Sequence, residues 1–180
     1  RRLSAIMALE ERTGVFAAGD NALTLLGPEI KVGQQAPAFT VRGGGLKPVS
    51  LSDSAGSVRI IASVPSLDTG VCSDETKKFS EIANSLPDDI LILTISMDLP
   101  FAQARWCGAN DVNNVTTASD FKDRQFGDSY GVHVKESGLL ARAVFVVDKN
   151  DTVRHVEYLP QIAQLPDFDA AVEAAKSAAG

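Results

Sequence analysis

Residues 58–79, VRIIASVPSLDTGVCSDETKKF, contain a change of hydrophobic period that decides the fold class. The run at residues 58–64 is compact and rich in β-branched residues, which is typical of a strand buried on both faces. From about residue 69 to residue 86 the apolar residues recur at helical spacing, with charged residues between them. We therefore predict a central strand, a short loop and an amphipathic helix, in that order.

The alternation of strands and helices continues on both sides of this unit. Upstream, we predict a β-hairpin at residues 15–26 and a short strand near residues 39–42, and Pro48 puts the next extended piece at a sheet edge. Downstream, we predict strands at residues 89–97, 115–116, 141–148 and 153–159, and helices at residues 100–108, 121–126 and 167–178. This order predicts an α/β fold, with a central mixed sheet flanked by helices.

Length and composition limit the function classes. A chain of 180 residues with 44% hydrophobic residues is expected to form one domain with one core. The formal net charge of -6 opposes binding to an acidic polymer, so we expect no nucleic acid partner. Charge, Gly or Pro interrupts every apolar run well before the roughly 20 residues of a membrane span, so we expect no membrane segment.

The first residues, RRLSAIMALEERTG (1–14), have a basic pair and a short apolar stretch. Acidic residues follow without a small-residue cleavage pattern, which argues against a secretory signal. Met7 is a candidate natural start, with residues 1–6 as upstream sequence. We expect residues 1–13 to be an extension that is either disordered or foreign to the native chain, and residues 14–180 to be a single domain.

Cys72 and Cys107 are the only two cysteines, which is too few for a secreted disulfide framework or a thiolate zinc site. Their number indicates a reducing compartment, so we expect a cytoplasmic location. His133 and His155 could complete a four-ligand metal set, but no two of these four residues have the short spacing of paired ligands. We expect no metal or organic cofactor.

Cys72 falls in the predicted first turn of the helix that follows the central strand, with Asp68 or Thr69 as the N-cap. Unpaired backbone N–H groups and the helix dipole favour an anion there, and the thiolate is the reactive form of cysteine. The alternative is an inert cysteine that packs under the helix as a small hydrophobe. Position alone does not decide between the two.

Pro65, Thr69 and Cys72 form a P-x-x-x-T-x-x-C pattern at the strand-to-helix junction, which resembles the active-site signature of the peroxiredoxins. The segments IASVPSLDTGVCSDETKKF, SMDLPFAQARWCGA, SDFKDRQFGDSYGV and LLARAVFVVD are similar to the thiol peroxidase branch of the atypical two-cysteine peroxiredoxins. The resemblance runs from about residue 15 to the C-terminus. It implies a thioredoxin-like fold with an added N-terminal hairpin, thiol-dependent reduction of hydroperoxides, thioredoxin as the reductant and a homodimer.

The resemblance also implies roles for five residues. Cys72 attacks the peroxide, and Cys107 resolves the resulting sulfenic acid as an intramolecular disulfide. Arg142 matches an arginine beside the thiolate, where its planar fork could bind thiolate and peroxide, whereas composition alone favours an exposed strand end. Thr69 is expected to cap the helix and to orient the peroxide through its hydroxyl. Pro65 is expected to shape the loop and to shield the sulfenic acid.

Other uses of the same residues stay open at this point. A redox sensor or binding module would signal oxidation of the cysteine pair to a partner, without turnover. A thioredoxin-fold protein with two structural cysteines would have no fast thiol. For the peroxidase, we expect the short helix between Pro100 and Gly108 to unfold locally when Cys107 reaches Cys72, because bridged cysteines must come close together.

Overall fold

The computed structural model describes residues 8–180, which form two β-sheets and four α-helices. In chain order the elements are β1 Glu11–Ala18, β2 Asn21–Leu26, β3 Thr40–Arg42, β4 Pro48–Ser50, β5 Val58–Ser63, α1 Gly70–Ala83, β6 Ile90–Ser96, α2 Pro100–Ala109, β7 Thr116–Ser119, α3 Gln125–Tyr130, β8 His133–Val134, β9 Ala143–Val147, β10 Val153–Tyr158 and α4 Phe168–Ala179. Residues 1–7, with Met7 and the first part of the predicted extension, lie outside the described residues.

The large sheet has the strand order β10-β9-β5-β6-β7-β3-β4 and is mixed. β5 pairs in parallel with β6 and antiparallel with β9, and all of its residues are buried. The central strand predicted from the apolar run at residues 58–64 is therefore confirmed. β4 is an outer strand that begins at Pro48, which confirms the predicted edge position, since proline has no backbone N–H for a second neighbour.

Alternate residues of the central strands pack against opposite layers of the protein. Ile61 and Phe145 belong to a core shared with α3 and with the small sheet β1-β2-β8. Ile60 and Val144 belong to a second core shared with α1, α4 and part of α2. Because strand residues alternate between the two faces, one apolar run supplies both cores. The predicted mixed sheet with helices on both faces is confirmed.

Two local features differ from the sequence-based expectation. β1 and β2 form the predicted hairpin, but the two-residue strand β8 also pairs with β2, and so short a strand has no periodic signal. The predicted helix at residues 121–126 instead begins at Gln125. Its start is displaced because the carboxylate of Asp120 accepts hydrogen bonds from the backbone N–H groups of Phe126 and Gly127.

Two kinds of feature are absent from residues 8–180. No helix in this part of the chain is both long enough and apolar enough to cross a membrane. The same residues contain no group of three or more His, Cys, Asp and Glu side chains placed to hold a metal ion.

Candidate active site

Cys72 lies in the first turn of α1, as predicted. Thr69 is the N-cap residue of this helix, so Cys72 is its third helical residue and sits among backbone N–H groups at the positive end of the dipole. The side chain is 0% exposed, and Cys72 is a free thiol. A buried sulfur at this position favours an anion only if a cation or hydrogen-bond donor reaches it from elsewhere in the fold.

Arg142 supplies that donor. The antiparallel register of β5 and β9 pairs Ser63 with Ala143, which brings the residue before β9 to the loop that leads into α1. Nη2 of Arg142 lies 3.3 Å from Sγ of Cys72 and donates to it. Nη2 and Nε also donate to the carbonyl oxygen of Ile162, at 2.8 and 3.3 Å. Arg142 is 1% exposed, so the exposed strand end favoured by composition alone is wrong.

Glu75 is a third buried member of this group and was not among the residues predicted from the sequence. Its Oε2 accepts from Nη1 of Arg142 at 3.4 Å, while Oε1 has no hydrogen-bond partner among residues 8–180. Glu75 lies one turn after Cys72 on the buried face of α1, together with Thr76 and Phe79. An acidic residue within an apolar helix stripe is the sequence signal that could have identified it.

Burial raises the pKa of the Glu75 carboxyl from 4.5 to about 8, although the charge and hydrogen bond of Arg142 lower it. The native state therefore holds a proton on Glu75 over a pH range in which the unfolded chain has released it. The contribution of this proton to the free energy of unfolding is fully present below pH 4.5 and is lost as the pH rises to about 8.

Thr69 has the predicted N-cap position but not the predicted capping hydrogen bond. Its side chain makes no contact with the backbone N–H groups of α1. The hydroxyl instead donates to the carbonyl oxygen of Ser66 at 2.9 Å, which closes a tight turn in the preceding loop. Since this bond uses the only hydroxyl proton, the oxygen keeps its lone pairs for accepting a hydrogen bond.

An open cleft of about 230 Å³ lies above these residues. It is lined by Pro65, Thr69, Gly70, Val71, Arg142, Ile162 and Ala163. Three predicted site residues, Pro65, Thr69 and Arg142, thus meet at one surface, and Cys72 contacts Arg142 from below. A small polar ligand in the cleft would meet the side chains of Arg142 and Thr69, whereas Cys72 contacts Arg142 but does not itself line the cleft.

Asp98, which was not among the residues predicted from the sequence, holds the loop of this site in place. Its carboxylate accepts from the hydroxyl of Ser66 at 2.7 Å and from the backbone N–H of Leu67 at 2.9 Å. It also accepts from the hydroxyl of Ser96, at the end of β6, at 2.7 Å. The loop before α1 is therefore tied to the chain just before α2.

Cys107 lies on α2, away from the cleft. It is a free, partly exposed thiol whose Sγ lies 3.7 Å from the hydroxyl of Thr117, whereas Sγ of Cys72 contacts Arg142. α2 contacts α1 through the indole N–H of Trp106, which donates to the hydroxyl of Ser73 at 3.3 Å. The two cysteine-bearing helices are neighbours, but their sulfur atoms have different partners.

Comparisons with known proteins show the family of this chain. The model of the Redoxin family matches residues 31–172. The chain is 52% identical over 158 residues to a thiol peroxidase of Halalkalibacterium halodurans, covering 88% of this chain and 95% of that protein. It is 50% identical over 155 residues to a thiol peroxidase of Bacillus subtilis, covering 86% of this chain and 92% of that protein.

Solved structures show a similar fold. A peroxiredoxin-like protein from Aquifex aeolicus superposes with a TM-score of 0.85 at 40% identity, covering 95% of this chain and 99% of that one. A thiol peroxidase from Chromobacterium violaceum superposes with a TM-score of 0.82 at 21% identity, covering 92% of this chain and 97% of that one. At this low identity, the match shows similarity of fold alone.

Proposed function

Since this chain belongs to the Redoxin family and is a thiol-dependent peroxidase, we propose that it reduces hydrogen peroxide and organic hydroperoxides with Cys72. The observation that carries the proposal is the contact of 3.3 Å between Nη2 of Arg142 and Sγ of Cys72 in the first turn of α1. A helix N-terminus and a guanidinium together stabilise a thiolate, which is the nucleophile that peroxide reduction requires. The neighbouring cleft has room for a small peroxide.

In the first step, the Cys72 thiolate attacks one peroxide oxygen in line with the O–O bond. A sulfur–oxygen bond forms, the O–O bond breaks, and the leaving oxygen departs as water or an alcohol after taking up a proton. Cys72 becomes a sulfenic acid. Arg142 stabilises the developing negative charge. The hydroxyl oxygen of Thr69 accepts a hydrogen bond from the peroxide O–H, because its own O–H donates to the carbonyl oxygen of Ser66. Pro65 covers one side of the cleft.

In the second step, the thiol of Cys107 condenses with the sulfenic acid of Cys72. The disulfide forms within one chain and water is released. Thioredoxin, a dithiol protein, then reduces this disulfide and itself becomes a disulfide. The proposal further places the enzyme in the cytoplasm as a homodimer, and no metal or organic cofactor takes part in any step.

Forming the disulfide requires α2 to move. In the reduced protein the two sulfur atoms have separate partners, and α2 has only 10 residues. Helices below roughly 12 residues are marginal without tertiary contacts, so α2 can open while the sheet stays folded. We expect amide protection at residues 101–109 to fall on oxidation, with little change in β5 and β6, as measured by hydrogen exchange.

The matched control for this exchange experiment is Cys107→Ser treated with one equivalent of peroxide. This variant forms the sulfenic acid but no internal disulfide, so its protection at residues 101–109 should not change. Equal protection of reduced and oxidised wild-type protein would instead indicate a preformed cysteine pair and contradict the movement of α2.

A steady-state assay tests the proposed function. With thioredoxin, thioredoxin reductase and NADPH, the wild-type protein should consume many equivalents of hydrogen peroxide or an alkyl hydroperoxide, and Cys72→Ser should consume none. A redox sensor would stop after about one equivalent. Consumption that ends at one equivalent despite active thioredoxin would contradict the peroxidase proposal, and unchanged turnover by Cys72→Ser would contradict the assignment of Cys72.

A further inference from the structure

The buried group around Arg142 contains two acids and one permanent cation. Cys72 and Glu75 are both 0% exposed, and each contacts a different terminal nitrogen of the guanidinium. The remaining partner of Arg142 is the neutral carbonyl oxygen of Ile162. One positive charge therefore faces two groups that can each become negative.

Charge balance favours one anion at a time in this group. With one acid ionised, the buried net charge is zero, whereas ionisation of both leaves one uncompensated negative charge away from water. Glu157, on β10, adds repulsion that further disfavours a second anion at Glu75. The single positive charge of Arg142 can therefore compensate only one ionised acid in this group.

The geometry around Glu75 fits a neutral carboxylic acid. A charge-assisted N–H···O bond is usually about 2.7–2.9 Å long, and the bond from Nη1 of Arg142 to Oε2 is longer, at 3.4 Å. Within the described part of the chain the other oxygen, Oε1, has no hydrogen-bond partner, which costs a buried carboxylate more than a buried neutral carboxyl. Both observations point to a proton on Glu75.

We propose that Glu75 is a positioning residue for the peroxidase reaction, neutral in the working enzyme, and that its ionisation draws Arg142 away from Cys72 and the peroxide. This inference rests on the proposed function and adds a regulatory element to it. An ionised Glu75 would form a shorter hydrogen bond with Nη1 of Arg142, and its negative charge would compensate the positive charge of the guanidinium. Arg142 would then stabilise the thiolate and the leaving oxygen less well.

The expected consequence is a decline in peroxidase rate at alkaline pH. Burial raises the pKa of Glu75 to about 8, so its proton is lost in the range where the decline should appear. We expect the rate constant of the wild-type protein with hydrogen peroxide to fall about 3- to 10-fold from pH 7 to pH 9.5, since one favourable interaction weakens without being lost. Alkylation of Cys72 by iodoacetamide, which needs no donor from Arg142, should not fall in this range.

Glu75→Gln is the decisive variant, because glutamine keeps the size of a protonated glutamate and cannot ionise. Its rate with peroxide should stay level from pH 7 to pH 9.5, the range in which the wild-type rate falls. Asp74→Asn is the matched control: it removes a carboxylate from the adjacent, exposed position of α1 and should retain the alkaline decline. A Glu75→Gln profile that follows the wild type, or a wild-type rate that does not decline, would overturn the proposal.

A stability measurement tests the neutral acid without relying on activity. The unfolding free energy of wild type relative to Glu75→Gln should decrease as the pH rises from 4.5 to about 8, because the unfolded chain releases the Glu75 proton first. Glu75→Met serves the same comparison if the glutamine variant does not fold. A pH-independent difference would contradict the proposal, whereas a loss of the proposed peroxidase function would leave this measurement unaffected.

Discussion

Replacing Arg142 with methionine should lower the second-order rate constant of Cys72 with hydrogen peroxide by about 10²- to 10³-fold, the usual cost of removing a donor aimed at developing charge. Arg142 donates directly to Sγ of Cys72 and also lines the cleft, so one substitution weakens both the thiolate and the transition state. Competition kinetics against a peroxidase of known rate, or stopped-flow fluorescence of Trp106, measures this constant.

Two further variants show whether the loss arises from the hydrogen bonds. Arg142→Lys keeps a positive charge without the planar fork, so we expect an intermediate rate, about 10-fold below the wild type. Arg154→Met removes a partly exposed arginine that pairs with Asp148, and its rate should match the wild type. An unchanged rate in folded Arg142→Met protein would mean that Arg142 does not take part in the reaction.

Replacing Cys107 with serine should abolish turnover with thioredoxin and limit consumption to about two equivalents of peroxide per chain, those that oxidise Cys72 to the sulfenic and then the sulfinic acid. The first step should keep its wild-type rate constant, since Sγ of Cys107 contacts Thr117 rather than the cleft. Without a resolving thiol, the sulfenic acid persists and a second peroxide converts it to a sulfinic acid. Peroxide consumption and the mass of intact protein measure both effects.

The wild-type protein provides the comparison for this variant. After oxidation it should run as a monomer on a non-reducing denaturing gel, because the disulfide forms within one chain. A covalent dimer containing Cys107 would indicate resolution between subunits. Full turnover by Cys107→Ser would contradict the assignment of Cys107 as the resolving cysteine.

The elements that the sequence predicted correctly are those whose signals are local. The β-branched run at residues 58–64 predicts a buried strand, because such side chains suit a sheet covered on both faces. Pro48 predicts an edge strand because it lacks an N–H group. The first-turn position of Cys72 follows from the change of period near Thr69. Each inference depends on residues a few positions apart.

Local patterns failed where a side chain had a choice of partner. Thr69 stands at the N-cap position, yet its hydroxyl bonds to Ser66 because the loop closes a turn there. Asp120 bonds to backbone N–H groups six and seven residues later, which moves the start of α3 to Gln125. Propensity indicates which bonds a residue can make, whereas the path of the loop decides which one it makes.

By itself, the sequence determined the α/β fold class, the thiol at a helix start and the family resemblance that singled out Arg142. Only the tertiary structure decided that Arg142 is buried and reaches Cys72, 70 residues away, and that Glu75 shares the same guanidinium. The contact depends on the register of β5 and β9, which aligns Ser63 with Ala143. Periodicity encodes which face of an element is buried. Which residue packs against that face depends on contacts between distant segments, and that residue in turn influences the charge state of the buried side chain.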